Sequence, residues 1–211
     1  MSAVDDPLFS LFNFIGHLVC HQLPERTLWV GGRYLPVCAR DTGAYIGLLL
    51  GYSLLTMRRK HAPGPPNLLI TLLMLAPMIV DAGTQWIGFR TSTNEVRLFT
   101  GLMFGTALAP LLVYTLSLIP ATRQKPIMKK LLPETTELDS KDPWLSNRSM
   151  IIGFLASVAV YFVINSLAGS SNIIFYWSLS PLIIASVMWH IFLLPIIIVI
   201  LYLFSLKKTA D

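Results

Sequence analysis

Charged residues are scarce in this chain of 211 residues: only 13% are Asp, Glu, Lys or Arg, whereas 54% are hydrophobic. With a mean hydropathy of +0.64, the chain has too little polar surface to enclose a water-soluble globule. The composition therefore excludes a soluble protein and indicates an integral membrane protein.

Sequence motifs of several common function classes are also absent. The chain has no glycine-rich loop that would cradle phosphates, no serine–histidine–acid set, no nucleic-acid-binding motif and no internal repeat. Nucleic acid is therefore not an expected partner, and membrane lipids are. The missing repeat also weakens the case for a transporter, because many carriers are built from repeats.

Six apolar runs account for most of the chain. Most of them are near the ~20 residues that a helix needs to cross the hydrocarbon core, and lipid offers no partner for an unpaired backbone, so the spans must be helices. We predict an all-α, polytopic transmembrane helical bundle in one domain, 1–211, with a cytoplasmic connector at 121–148. The runs lie at residues 7–22, 41–57, 67–88, 97–119, 149–168 and 182–206.

The basic residues predict the orientation of this bundle. Every lysine follows the second, fourth or sixth run, and basic residues in short loops favour the cytoplasmic side. Both termini are then cytoplasmic in the plasma membrane of a prokaryote. If the short first run is instead re-entrant or interfacial, the amino terminus lies outside. The outer side carries arginine and no lysine, namely Arg26, Arg33, Arg40, Arg90 and Arg97.

Both cysteines and two of the four histidines lie near the outer ends of the first two runs. A helix over the first run would present His17, Cys20 and His21 on one face, and Cys38 and Asp41 are three residues apart where the second run starts. Ligands of this type suit zinc or another divalent transition metal. The alternatives are a Cys20–Cys38 disulfide on an oxidising side, reduced thiols with or without a catalytic role, and Asp41 as a helix N-cap.

Asp81 is an ionisable residue inside the third run, and such residues are costly in a membrane and normally face the interior of a bundle. Gln85 lies one turn further along the same helix face. His190 is predicted at a similar depth in the sixth run, so we expect Asp81, Gln85 and His190 to form a catalytic group. The expected substrate-binding residues are Arg40, Arg90, Asn94 and Arg97, because arginine suits carboxylate or phosphate.

Four segments carry a resemblance that covers about residues 13–110. They are Cys20-His21-Gln22-x-Pro24-x-Arg26, Cys38-Ala39-Arg40-Asp41-Thr42-Gly43, Pro77-x-x-x-Asp81-x-x-x-Gln85 and Asn94-Glu95-x-Arg97-x-x-Thr100-Gly101. In this order they resemble a prokaryotic family of predicted integral membrane proteins of unknown function. The resemblance implies a membrane location and supplies no activity.

These residues together suggest a polar site that opens outward from the outer half of the membrane. We expect a metal-dependent hydrolase or transferase that acts on an anionic substrate such as a lipid headgroup, with Asp81 as general base. A proton-coupled transporter of a small anion is the first alternative. The second is a structural or partner-binding membrane protein whose cysteines form a disulfide.

Overall fold

The computed structural model of the protein describes residues 6–57, 68–117, 147–196 and 198–199. Within them the chain forms six α-helices and one short hairpin, which confirms the prediction of an all-α bundle. The helices are α1 (Pro7–His17), α2 (Ala39–Met57), α3 (Leu68–Trp86), α4 (Asn94–Ser117), α5 (Asn147–Leu167) and α6 (Ile173–Val187). The hairpin strands are β1 (Trp29–Val30) and β2 (Arg33–Tyr34).

Four segments are long and apolar enough to cross a membrane. They are Leu68–Trp86, Asn94–Thr115, Met150–Leu167 and Ile173–Ile196. Each is built mainly from apolar residues, whose exposure to water is unfavourable, so their outer faces are more stable in a bilayer than in water. We name the end of the bundle that carries the hairpin, the start of α2 and the start of α4 the hairpin end.

The centre of the bundle is a close contact between α2 and α4. A side-chain carbon at Gly105 would lie 2.0 Å from the backbone oxygen of Ala44, and one at Gly43 would lie 2.3 Å from that of Leu98. Gly47 and Gly101 face equally short distances across the same contact. Small residues that let two backbones approach are the usual means of packing helices in membranes. These glycines therefore fix the start of α2 beside the start of α4.

The hairpin connects α1 and α2 and docks onto the turn between α5 and α6. The backbone N–H of Gly169 donates to the Trp29 carbonyl at 2.7 Å, and that of Gly32 donates to the Ser170 carbonyl at 3.3 Å. Gly31 and Gly32 both have positive φ, 62° and 76°, a conformation that glycine adopts without strain. Backbone hydrogen bonds therefore hold the hairpin turn against the turn between α5 and α6.

Replacing Gly31 with alanine should destabilise the protein more than the same change at Gly32. Both substitutions carry the cost of a left-handed residue, roughly 1–2 kcal/mol. Only at Gly31 would the new carbon also lie 2.8 Å from the Asn172 carbonyl oxygen, whereas at Gly32 the nearest neighbour is 3.9 Å away. Thermal unfolding of both variants in detergent measures the difference, and equal losses would contradict the contact.

The prediction of a helix over residues 7–22 is wrong at its carboxyl end, because α1 stops at His17. Its 11 residues extend about 16 Å, which is too short for a hydrocarbon core of ~30 Å. One face of α1 packs on α6, where Phe9 meets Tyr176 with ring centroids 5.8 Å apart and Phe12 meets Trp177 at 5.9 Å. The re-entrant or interfacial placement fits this length.

The last helix begins nine residues before the predicted start at 182. The Asn172 side chain accepts the backbone N–H of Ile174 at 3.0 Å and caps α6, and Pro181 lies inside the helix. After Val187 the chain continues as a π-helix, Met188–Leu193. His190 therefore lies about 25 Å from the start of the helix, at ~1.5 Å per residue.

Residues 121–146 of the predicted connector lie outside the described residues. Its last two positions, 147 and 148, are the first residues of α5. The lysines that predict the cytoplasmic side also lie outside the described residues.

Candidate functional site at the hairpin end

An open pocket of about 340 Å³ lies at the hairpin end, between the segment after α1 and the first turns of α2 and α4. Its wall combines two thiols, one carboxylate, three guanidinium groups and a few apolar side chains. The lining residues are Val19, Cys20, His21, Gln22, Leu23, Arg26, Cys38, Arg40, Asp41 and Arg97. Residues from three separate parts of the sequence thus form one site.

The two cysteines and Asp41 are joined by a chain of hydrogen bonds. The Cys20 sulfur accepts the backbone N–H of Cys38 at 3.2 Å and that of Gln22 at 3.5 Å. The Cys38 thiol donates to Asp41 Oδ2 at 3.1 Å. The ligand atoms of Cys20, Cys38 and Asp41 all lie within 4.8 Å of one another, and both cysteines are free thiols. The backbone itself therefore brings the three donor atoms together.

The two thiols have opposite tendencies to ionise. The neighbouring Cys38 side chain lowers the pKa of Cys20, and the two backbone N–H groups act in the same direction against the effect of burial. The same contact between the two side chains, together with burial and the charge of Asp41, raises the pKa of Cys38. Cys20 is therefore the thiol that ionises first, and a thiolate is the form that binds metals and attacks electrophiles.

Gln22 holds the Cys20 segment in place and was not predicted as a site residue. Its side-chain amide donates to the carbonyl oxygens of Asn13 and Pro36, both at 2.7 Å. Its φ of 52° is in the left-handed region, which is uncommon for a residue other than glycine. Its two partners are backbone atoms, which no sequence pattern reveals. The only sign in the sequence that Gln22 belongs to the site is its position directly after Cys20 and His21.

A buried charge cluster lies behind the pocket. The side chain of Asp81 is 1% exposed, and its two oxygens accept hydrogen bonds from Arg40 and Arg90. Arg40 also donates to Gln85 Oε1 at 3.1 Å, and Arg90 donates to Thr84 Oγ1 at 3.1 Å. Asp81 is not one of the pocket-lining residues. The carboxylate thus orients two arginines, one of which reaches the pocket.

Arg97 lies in the first turn of α4 and is the most buried arginine of the site. Its Nη1 donates to Asn94 Oδ1 at 2.9 Å and to the Glu25 carbonyl oxygen at 3.5 Å. The residue is 6% exposed and lines the pocket. Of the four predicted substrate-binding residues, Arg40 and Arg97 therefore reach the pocket, while Asn94 supports Arg97 and Arg90 supports Asp81.

The two histidines predicted as metal ligands stand apart from the thiols. Because α1 ends at His17, the predicted helix face of His17, Cys20 and His21 does not form. Both histidines are exposed, and neither belongs to the cluster of Cys20, Cys38 and Asp41, the one such group among the described residues. His21 lines the pocket and is within reach of a ligand there, whereas His17 does not line it.

The expectation that His190 lies at the depth of Asp81 is wrong. His190 stacks on Tyr52 with ring centroids 5.5 Å apart, and its Nδ1 is 2.7 Å from the Ser186 carbonyl oxygen. This place is far along α6 from the hairpin end, whereas Asp81 is about 8 Å from the end of α3 at Trp86. His190 is farther from the hairpin end than predicted because α6 starts nine residues earlier, which places nine more residues between that end and His190.

Comparisons with known proteins give similarity over the first half of the chain. A family described as a predicted membrane protein, DUF2085, matches residues 20–111, a range that contains both cysteines, Asp81 and Arg97. An uncharacterized protein of Methanothermobacter thermautotrophicus is 40% identical over 93 residues, which are 44% of this chain and 83% of that protein.

A second relative is an uncharacterized protein of Methanocaldococcus jannaschii, 40% identical over 89 residues. The match covers 42% of this chain and 57% of the relative, so the chain spans little more than half of that relative's length. No solved structure matches the chain. The match to the Methanothermobacter protein covers 83% of that protein at 40% identity, which is enough to show a common family. The chain belongs to DUF2085, a family of predicted membrane proteins.

Proposed function

We propose that the protein is a metal-dependent hydrolase or transferase of a prokaryotic cell membrane, which acts on an anionic substrate in the pocket at the hairpin end. The observation that carries this proposal is the cluster of Cys20, Cys38 and Asp41, whose ligand atoms lie within 4.8 Å of one another. It forms part of the same pocket wall as Arg40 and Arg97. Metal donors and anion-binding groups thus face one volume.

The donor set favours zinc or a similar divalent ion. Two thiolates and one carboxylate are borderline-soft ligands, and three protein ligands with one open position are typical of catalytic rather than structural zinc sites. An ion held in this way would polarise a carbonyl or phosphoryl oxygen of the substrate. His21 lines the pocket as well and is the residue best placed to supply a further ligand.

The guanidinium groups would hold the substrate's negative charge beside the ion. Arg40 is oriented by Asp81 and Gln85, so little side-chain freedom is lost when an anion binds, and preorganised groups of this kind are the ones that stabilise charge in a transition state. Because both oxygens of Asp81 accept from arginines, we assign Asp81 to positioning Arg40. This role replaces that of general base in the proposed mechanism.

We assign the hairpin end to the outer side of the membrane. The described residues at this end include arginines and no lysine. Every lysine of the chain follows α2, α4 or α6 in the sequence, and therefore belongs to the opposite end. Loops rich in basic residues favour the cytoplasmic side. Since α1 is too short to cross, Asp6 at its start also lies at the hairpin end, where it pairs with Arg33. The amino-terminal side of α1 is then outside.

Labelling of intact cells with a membrane-impermeant maleimide tests this orientation. Cys20 and Cys38 are the two cysteines of the whole chain, so the wild type treated with EDTA to free the thiols should be labelled from outside, and Cys20→Ser should lose most of the label. Ser117→Cys, at the other end of α4 and in a background with Cys20→Ser and Cys38→Ser, is the matched control and should be labelled only after permeabilisation. Labelling in the reverse order would invert the assignment.

Metal analysis of protein purified without chelator tests the metal site. The wild type should hold about one divalent ion per chain, and Cys20→Ser, Cys38→Ser and Asp41→Asn should each lose most of it, because each change removes one of the three protein ligands typical of such a site. His17→Ala is the control, since His17 is exposed and outside the cluster, and should retain the ion. A metal-free wild type would end the proposal.

Two further measurements separate the alternatives. Thiol counting under denaturing conditions, with and without reductant, would detect a Cys20–Cys38 disulfide and favour a structural role. Proton-coupled uptake of an anion that Asp81→Asn abolishes would favour a transporter.

A further inference from the structure

Arg97 carries a buried positive charge and forms no salt bridge with any carboxylate of the described residues. Among the arginines whose side chains the structure describes, Arg26, Arg33, Arg40 and Arg90 each form a salt bridge and Arg97 forms none. Its two hydrogen-bond acceptors, an amide oxygen and a backbone carbonyl, are neutral. An unpaired charge at 6% exposure is costly, and an anionic ligand would remove that cost.

Two arginines in the pocket wall each keep an N–H donor that no described residue accepts. The Nε atoms of Arg97 and Arg40 are buried and have no hydrogen-bond partner within the described part of the chain, and both residues line the pocket. The far end of Arg40 is already fixed by Asp81 and Gln85. Guanidinium groups with free N–H donors recognise the paired oxygens of phosphate or carboxylate.

Part of the pocket wall is apolar, and α1, which directly precedes this part in the chain, carries an exposed apolar stripe. Val19 and Leu23 line the pocket, and Leu18, next to Val19, is 55% exposed. The stripe continues along one face of α1 through Phe14, Leu11 and Leu8, which are 47–64% exposed. In a helix that packs on a candidate membrane span, such a face contacts acyl chains.

We propose that the substrate of this pocket is an anionic amphiphile. Its phosphate or carboxylate headgroup binds Arg97 and Arg40, and its apolar chain lies against Val19, Leu23 and the stripe of α1. The substrate class rests on the proposed function, because the pocket is the same, while the arginine contacts do not depend on the metal. A substrate of this kind would enter sideways from the outer leaflet.

Titration of the purified protein with dodecyl phosphate tests the anion site, with dodecyl maltoside present throughout as a neutral detergent with the same chain. Dodecyl phosphate should raise the thermal unfolding midpoint of the wild type, as a ligand of the folded state does. Arg97→Gln should weaken its binding at least about tenfold, the effect of losing a charged hydrogen bond. Arg33→Gln, at a paired arginine outside the pocket, is the matched control and should bind as the wild type does.

Inorganic phosphate, titrated in the same way, distinguishes an amphiphilic ligand from a free anion. It should bind at least about tenfold more weakly than dodecyl phosphate, since inorganic phosphate lacks the alkyl chain whose burial favours binding. Leu23→Gln should weaken dodecyl phosphate and leave inorganic phosphate unchanged. Equal affinities of the wild type for the two anions would overturn the amphiphile, and wild-type binding by Arg97→Gln would overturn the anion site.

A chelator arm keeps this result distinct from the metal proposal. Binding that survives EDTA and is lost in Arg97→Gln supports the anion site even if the protein proves metal-free. Binding that EDTA abolishes and Arg97→Gln retains would assign the anion to the metal and overturn the role of Arg97. We expect Arg97→Gln without ligand to be at least as stable as the wild type, because it removes an unpaired charge; if it does not fold, Arg97→Lys replaces it, with the same weakening expected.

Discussion

Replacing Asp81 with asparagine is expected to lower the free energy of unfolding by about 3–5 kcal/mol, the cost of breaking a buried ion pair. The Asp81 side chain is 1% exposed and is the acceptor for both Arg40 and Arg90. The variant leaves Arg40, whose side chain is 18% exposed, without its buried counter-ion, whereas Arg90, at 39% exposure, remains partly hydrated. Thermal or denaturant unfolding in detergent measures the loss.

Asp6→Asn is the matched control for this change. Asp6 also pairs with an arginine, Arg33, but its side chain is 28% exposed, so the loss should stay below about 1 kcal/mol. Asparagine at this position can still accept the N–H groups at the start of α1. A similar loss in the two variants would contradict the burial argument.

A second substitution tests whether the cluster acts as a unit. Arg90→Gln in the Asp81→Asn background should cost less than it does alone, because the charge that it removes has already lost its partner. The Asp81→Asn variant should also bind dodecyl phosphate more weakly, since Arg40 is no longer held. Additive losses of stability would show that Asp81 and Arg90 contribute independently.

Replacing Gly105 with alanine is expected to destabilise the bundle by about 1–3 kcal/mol or more, the range for overpacking a close contact. The new carbon would lie 2.0 Å from the Ala44 carbonyl oxygen and 2.7 Å from the Leu48 nitrogen. Both are backbone atoms, so no side-chain rotation relieves the clash, and α2 must move away from α4. The measurement is again unfolding in detergent.

Gly83→Ala is the control for the glycine contact. Gly83 lies inside α3 with nothing within 4 Å of the position of a side-chain carbon. Alanine is the better helix former by ~1 kcal/mol, so this variant should be as stable as the wild type or more stable. Equal losses at Gly83 and Gly105 would mean that the α2–α4 contact is not the cause.

The glycine contact also sets the geometry of the site. A side-chain carbon at Gly101 would lie 2.3 Å from the carbonyl oxygen of Arg40, which shares the first turn of α2 with Asp41. Any change that separates α2 from α4 therefore moves a metal donor and an arginine away from Arg97. We expect glycine variants in this contact to lose ligand binding at temperatures where they are still folded.

The sequence predicted the helices well and two of their ends poorly. Apolar length and composition identified α2 to α5, because each of these helices is a nearly uninterrupted apolar run. The first apolar run extends beyond His17, so hydropathy alone predicted a longer helix. In the structure the chain turns after His17, where the Gln22 side chain donates hydrogen bonds to the carbonyl oxygens of Asn13 and Pro36. The start of α6 was missed because serines and Pro181 interrupt its apolar pattern.

The sequence by itself determined that the protein lies in a lipid bilayer and that its fold is all-α. A chain that is 54% hydrophobic, with runs of spanning length, can be stable only as helices in a bilayer, so hydrophobic burial and backbone hydrogen bonding leave one class of fold. The scarcity of polar residues also identified Cys20, Cys38, Asp41, Arg40, Arg97 and Asp81 as residues that need partners.

Only the tertiary structure decided which partners they have. Arg40 and Asp81 are 41 residues apart, and Cys20 and Cys38 are 18 residues apart, distances over which periodicity carries no information. Which helix lies beside which depends on how closely two backbones can approach, and that is set by glycines such as Gly101 and Gly105 against α2. The same packing leaves His17 and His190 outside the pocket, and it places Arg97 in the pocket wall with no salt-bridge partner among the described residues.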